Sequence, residues 1–172
     1  MSDPAAHAVQ DFYPDDFAHC YGCGRLNVQG LQLKTRWDGD ETVARFTPRA
    51  FDVAVPGFVY GGLVASLIDC HAMATAAAAA ERAAGREIGD GLAPRFVTAA
   101  LRVDFLAPTP VGPVLEIRGR VKQKAERKTV VEAWVSAGGR VTARAEVVAV
   151  PMPASMARGR AAPSRAPPEG NQ

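Results

Sequence analysis

The stretch "VYGGLVASLIDCHAMATAAAAA", residues 59–80, decides how the chain is read. It is a long apolar run, entered through Gly61 and Gly62 and interrupted by Asp69, Cys70 and His71. A carboxylate is costly to bury unless something pairs with it or uses it. The pattern predicts a helix from about residue 61 to 84, closed by Gly85 as C-cap. Projected at about 100° per residue, Asp69 shares a strip with Gly62, Met73 and Ala76, with Ser66 a little further round. His71 falls on nearly the opposite side with Val64 and Leu67. The two cannot act as a dyad from one helix.

Working outward, residues 31–37 and 41–47 read as strands joined by Asp38-Gly39-Asp40, a hairpin signal. A loop over 48–59 leads into the helix. Beyond it, 95–108 alternates Val97, Ala99, Leu101, Val103 and Phe105 on one face, and 114–122 alternates Leu115, Ile117 and Val121 against charged residues. Residues 129–137 and 140–150 flank the tight-turn pair Gly138-Gly139, and the second sets Arg140, Thr142, Arg144 and Glu146 on its polar side. These are half-buried strands. An antiparallel sheet with one long helix on its inner face is an α+β arrangement.

Length and composition fit one soluble domain: 172 residues, 48% hydrophobic and 22% charged. The net charge of +2 is matched by the tail alone, where Arg158, Arg160 and Arg165 face only Glu169. No basic folded face for nucleic acid is expected. The helix reads as amphiphilic and broken by Asp69, His71 and Glu81, so no membrane span is expected. The N-terminus lacks the basic start and apolar run of a signal peptide. Three cysteines make no disulfide framework, and a reducing cytoplasm is the simplest compartment. The boundaries expected are a lead-in over 1–19, a folded domain over 20–150, and a proline- and arginine-containing disordered tail over 151–172.

Three motifs carry a resemblance. "CYGCGRLNVQGLQL" (20–33), "YGGLVASLID" (60–69) and "LRVDFLAPTPVG" (101–112) stand in order, at plausible spacing. Together they resemble the acyl-CoA thioesterases of the PaaI and THEM type, over about residues 20–150. The resemblance implies a hotdog fold, a curved antiparallel sheet wrapped around one central helix. It implies hydrolysis of an acyl-CoA thioester to free acid and CoA, in a homodimer or dimer of dimers whose sites form between subunits. Asp69 takes the family's catalytic acid position and Gly61 its oxyanion donor, with Gly62 flanking. Thr98 stands where a hydroxyl residue orients water in related enzymes, serving the Asp69 of its partner. The family's histidine before Gly-Gly is Tyr60 here, a pocket residue with a different hydrogen-bonding group.

The residues support that chemistry on their own terms. A helix N-terminus presents unpaired N–H groups with partial positive charge, and glycines let a carbonyl oxygen approach them. An oxyanion is stabilised there. Asp69, two turns on, then serves as general base on water or as nucleophile, and both roles stay open. Ser66 and Met73 share its strip and are expected beside the substrate. Lys122, Lys124, Arg127 and Lys128 surround a hairpin; they are either a solvated turn or a contact for the phosphates of coenzyme A.

Other readings are weaker. Cys20-x-x-Cys23 lacks a second pair, with only His19 nearby and Cys70 or His71 distant, so a structural turn is expected rather than a metal site. Cys70 reads as a small buried residue and His71 as a satisfied core or interface histidine. No metal or redox cofactor is implied. Two rival functions are a non-catalytic acyl-CoA or lipid-binding module, in which Tyr60 marks lost activity, and a hotdog dehydratase or hydratase.

Overall fold

The computed structural model describes residues 7–157. Their elements are β1 (Arg36–Asp38), β2 (Glu41–Phe46), β3 (Val53–Val55), β4 (Phe58–Val59), α1 (Gly61–Ala83), β5 (Phe96–Phe105), β6 (Leu115–Ala125), β7 (Lys128–Ala137), β8 (Arg140–Pro151) and α2 (Ala154–Ala157). Six strands form one antiparallel sheet in the order β1-β2-β6-β7-β8-β5, while β3 and β4 pair separately. The sheet's inner face packs against α1 through Leu115, Ile117, Val131, Ala133, Val135, Ala143, Ala145, Val147 and Ala149, all buried. A single helix held by a curved antiparallel sheet is the hotdog arrangement.

The turns follow from residue chemistry. Gly138 and Gly139 both take positive φ, which a two-residue hairpin between right-twisted strands requires. Gly85, at φ 70°, ends α1 in a Schellman motif: its N–H donates to the Arg82 carbonyl and the Arg86 N–H to the Glu81 carbonyl. Arg86 then folds back to make two bonds of 2.7 and 2.8 Å to the buried Glu81 carboxylate. This pairing explains how a carboxylate is buried at the end of the helix.

The helix differs from the expected amphiphilic one. Residues 70–78 are buried without interruption, so apolar surface runs round the whole cylinder. By length and composition α1 would suffice to cross a membrane, contrary to the expectation that no segment would; most of that stretch is enclosed in the fold. The sheet covers one side only. The other is covered by residues 8–35, through buried Val9, Tyr13, Cys23, Leu31 and Leu33. Part of the segment expected as a polar lead-in thus lies on the core. Of the expected disordered tail, residues 158–172 fall outside the described residues, and 151–157 hold the end of β8 and α2.

Two strand faces also depart from simple alternation. In β5 the pairing to β8 slips between Thr98 and Ala100, leaving Ala99 as a bulge. Phe96 is buried, Thr98 bonds a helix side chain, Val103 packs on the core, and Phe105 stands beside Gly61. The extra residue therefore puts Phe96 and Thr98, rather than Val97 and Ala99, on the helix side with Val103 and Phe105. In β8, Thr142 is buried and not on the polar side as predicted. Its hydroxyl takes a 2.9 Å bond from that of Thr109, and its carbonyl accepts the N–H groups of Leu106 and Ala107.

Candidate active site

The start of α1 is held from two directions. The Tyr60 N–H donates to the Asp52 carbonyl at 2.9 Å, and the Val59 N–H to the Thr109 carbonyl at 2.8 Å. Asp52 is itself fixed by Arg49, which gives it one backbone and two guanidinium bonds of 2.8 to 3.0 Å. These bonds hold the Asp52 carboxyl below its usual pKa. Tyr60 is the N-cap, and no side chain caps the helix. Leu63 and Val64 donate to the Tyr60 carbonyl, so the amides of Gly61 and Gly62 have no intrahelical partner.

These amides lie between two hollows. A cleft of about 590 Å³ is lined by Val55, Phe58, Gly61, Phe105, Leu106 and Pro108, among others. It is predominantly apolar, as an acyl or aryl group requires. A smaller hollow of about 250 Å³, on the side of Tyr60, Gly62 and Ser66, is completed by Tyr21, Phe51 and Asp52. The Tyr60 ring lies against Gly62, where an added Cβ would sit 2.4 Å from ring carbon atoms. Only glycine fits beneath that ring. Ser66 spends its hydroxyl on the Gly62 carbonyl at 2.8 Å.

Asp69 is half-buried, so the penalty that its place in an apolar run suggested is largely absent. Its partner is Thr98, whose hydroxyl donates to Asp69 Oδ1. Strand and helix of one chain make this pair, because the Ala99 bulge turns Thr98 inward. Asp69 lines neither hollow. It is eight residues beyond Gly61, or roughly 12 Å along the helix at ~1.5 Å per residue. The expectation that Asp69 stands beside a carbonyl held by the Gly61 amide fails within one protomer.

Other candidates separate. Met73 is buried in the core cluster and lines neither hollow, which removes it from a substrate surface within the protomer. Lys122 pairs with Glu146 at 2.5 Å on the sheet's outer face. Lys124, Arg127 and Lys128 are exposed at the β6–β7 hairpin. Lys124, Thr129, Ala149 and Thr98 lie in one transverse row across four strands. Three strand spacings put the hairpin about 14 Å from Thr98. It lies at the opposite end of β5 from Phe105 and the apolar cleft.

His71 is fully buried with both ring nitrogens bonded, Nδ1 to Thr35 at 3.0 Å and Nε2 to Thr42 at 3.1 Å. Gln10 holds Thr35, and Thr75 lies 2.6 Å from Thr42. Burial holds the His71 pKa down to about 3, so the ring is neutral and structural. Sequence reasoning missed Asp52, Arg49 and Phe105. The Arg-x-x-Asp spacing of 49–52 was the available signal for the first two. It also placed Cys70 far from Cys20 and Cys23, whereas all three sulfurs lie within 4.8 Å of one another. Hydrogen bonding within the cluster, from the Cys23 and Cys70 thiols, draws the Cys20 thiol well below the usual thiol range.

Sheet, enclosed helix and apolar cleft at the helix start define a hotdog-fold protein. A family model described as the thioesterase superfamily matches residues 56–144, more than half of the chain. The chain belongs to the thioesterase superfamily. A thioesterase superfamily protein from Shewanella loihica is 49% identical over 81% of this chain and 98% of its own, with a TM-score of 0.63. Two further structures share the fold. The PaaI protein of the Escherichia coli phenylacetic acid degradation operon is 17% identical over 72% of this chain and 81% of its own, with a TM-score of 0.58. A Streptococcus mutans protein bound to acetyl CoA is 16% identical over 70% and 88%, with a TM-score of 0.54. No curated protein matches the chain.

Proposed function

We propose that the protein hydrolyses an acyl-CoA thioester, in a site shared by two copies of the chain. The observation that carries this reading is the uncapped Gly61-Gly62 start of α1 opening on an apolar cleft, with a Thr98-held carboxylate further along the same helix. The acyl group lies in the cleft, and its carbonyl oxygen takes the Gly61 N–H. The roughly 12 Å to Asp69 exceeds what one carbonyl spans, so the acid acting on it is the Asp69 of a second copy.

Thr98 fixes one carboxylate oxygen of Asp69 and leaves the other free. As general base, that oxygen takes a proton from water while the hydroxide oxygen bonds to the carbonyl carbon. The carbon–sulfur bond then breaks, and CoA leaves as thiolate, taking up the proton. As nucleophile, Asp69 bonds to the carbonyl carbon, expels the thiolate, and water hydrolyses the resulting anhydride. No metal or redox cofactor enters either route. The S. mutans neighbour's acetyl CoA supports a CoA-type ligand. Lys124, in the row of Thr98, and Arg127 and Lys128 beside it on the same hairpin are the cations proposed to meet its phosphates.

The second copy joins along β5. This strand ends the sheet, runs for ten residues and leaves Leu101 39% and Phe105 56% exposed. A long apolar edge left unpaired is a template for a further strand. A non-catalytic acyl-CoA-binding role is the alternative, favoured by the Tyr60 ring lying against Gly62. Thiol release from short, medium, long and aromatic acyl-CoAs separates the two. Turnover that Asp69→Asn abolishes while binding persists supports hydrolysis; tight binding without turnover supports the alternative.

A further inference from the structure

The sulfurs of Cys20, Cys23 and Cys70 converge where the 20–33 segment crosses α1, all within 4.8 Å of one another. The Cys20–Cys70 separation is 3.7 Å. Two thiolates on one tetrahedral zinc ion, each about 2.3 Å from it, stand about 3.8 Å apart. The backbone is shaped to this end. The Gly24 N–H closes the Cys20–Gly24 turn on the Cys20 carbonyl at 2.8 Å. A side chain at Gly22 would put its Cβ 2.3 Å from the Cys70 sulfur, so glycine there is what admits the third thiol.

A second observation points into the same place. Tyr13 is 1% exposed, and its hydroxyl has no hydrogen-bond partner among the described residues. Tyr13, Cys23 and Cys70 belong to one buried cluster. A buried hydroxyl without a partner is expensive. A metal-bound thiolate beside it, or the metal's fourth position, would satisfy it. Arg95 stacks over the Tyr13 ring at 4.1 Å and acts on Cys23, supplying a positive charge against three thiolates.

We infer that Cys20, Cys23 and Cys70 hold one thiophilic d10 cation, zinc(II), with an oxygen from Tyr13 or water completing a tetrahedron. Binding displaces the thiol protons to solvent and leaves three metal–sulfur bonds. The role is structural: the ion ties the 20–33 segment to the middle of α1, one residue from Asp69. It also fixes Tyr21, which lines the hollow beside Tyr60. This inference stands apart from the proposed hydrolysis.

The test uses the full-length chain, produced with zinc in the medium and purified with a non-thiol reductant. Elemental analysis is expected to give close to one zinc per chain. Cobalt(II) in its place is expected to give thiolate charge-transfer absorption and the visible bands of a tetrahedral site. Cys23→Ser is expected to weaken cobalt binding by at least about tenfold. Should that variant not fold, the wild type still decides, because a thiol-modifying mercurial must release the zinc in step with loss of three thiols. Absence of zinc and of cobalt bands in the wild type overturns the proposal. So does a Cys20–Cys70 disulfide in metal-free protein, or a cobalt spectrum unchanged in Cys23→Ser.

Discussion

The Thr98 hydroxyl reaches across from β5 to Asp69 on α1 in the same chain. A hydrogen bond to a charged acceptor is worth about 1.5–3 kcal/mol, or roughly 10- to 100-fold in a rate it controls. Thr98→Val is therefore expected to lower kcat by that range and leave KM nearly unchanged. Asp69→Asn is expected to lower kcat by about 10²- to 10⁴-fold with acyl-CoA binding retained. Steady-state kinetics beside equilibrium binding checks both. Equal activity of Thr98→Val and wild type would remove Thr98 from the mechanism.

Gly62 and Tyr60 make a coupled pair. Gly62→Ala drives a methyl into the Tyr60 ring, and the ring, 57% exposed, swings away at little cost in stability. Expected is a change of only a few degrees in Tm but a several-fold rise in KM, of the order that about 1 kcal/mol of lost pocket contact produces. In a Tyr60→Ala background the same substitution should add almost nothing. Additive effects in that double-mutant cycle would show that the two side chains act independently.

His71 sets an acid limit on stability. Its folded pKa is near 3, below the unfolded value of about 6.5. Between these values the unfolded chain binds a proton that the folded one does not, so stability falls as the pH falls through that window. By pH 5 the loss from this group is about 2 kcal/mol. Urea unfolding at pH 8 and pH 5 measures it. His71→Gln, less stable throughout, should show a shallower pH dependence; an equal slope would mean that another group titrates.

The role proposed for the basic hairpin is contact with the nucleotide end of the substrate. Lys124→Glu with Arg127→Glu is expected to raise KM several-fold for a CoA thioester and to spare the corresponding pantetheine thioester, which lacks the nucleotide phosphates. A matching rise for both substrates would place the phosphates elsewhere. Leu101→Glu on the β5 edge is expected to yield monomers in sedimentation, with activity lost alongside.

Much of this was legible in the residue pattern. The helix, its glycine end and the β6–β8 meander follow from period and turn chemistry, since Ile117 and Ala143 face inward where alternation puts them. The position of Asp69 opposite His71 follows from helical geometry alone. What was not legible has a physical reason. Thr98-Ala99-Ala100 offers no contrast of size or polarity, so nothing marks the bulge. The all-round apolar helix reflects cover by residues 8–35, whose contacts with it, including Cys20 to Cys70, are fixed by the tertiary fold rather than by local spacing.

The extra residue at Ala99 works as a vernier on the sheet. Removing it would rotate the hydroxyl of residue 98 out to water together with the buried ring of residue 96. The tether of the acid and part of the core therefore depend on one extra residue. A sister chain lacking that insertion would leave its acid without a tether.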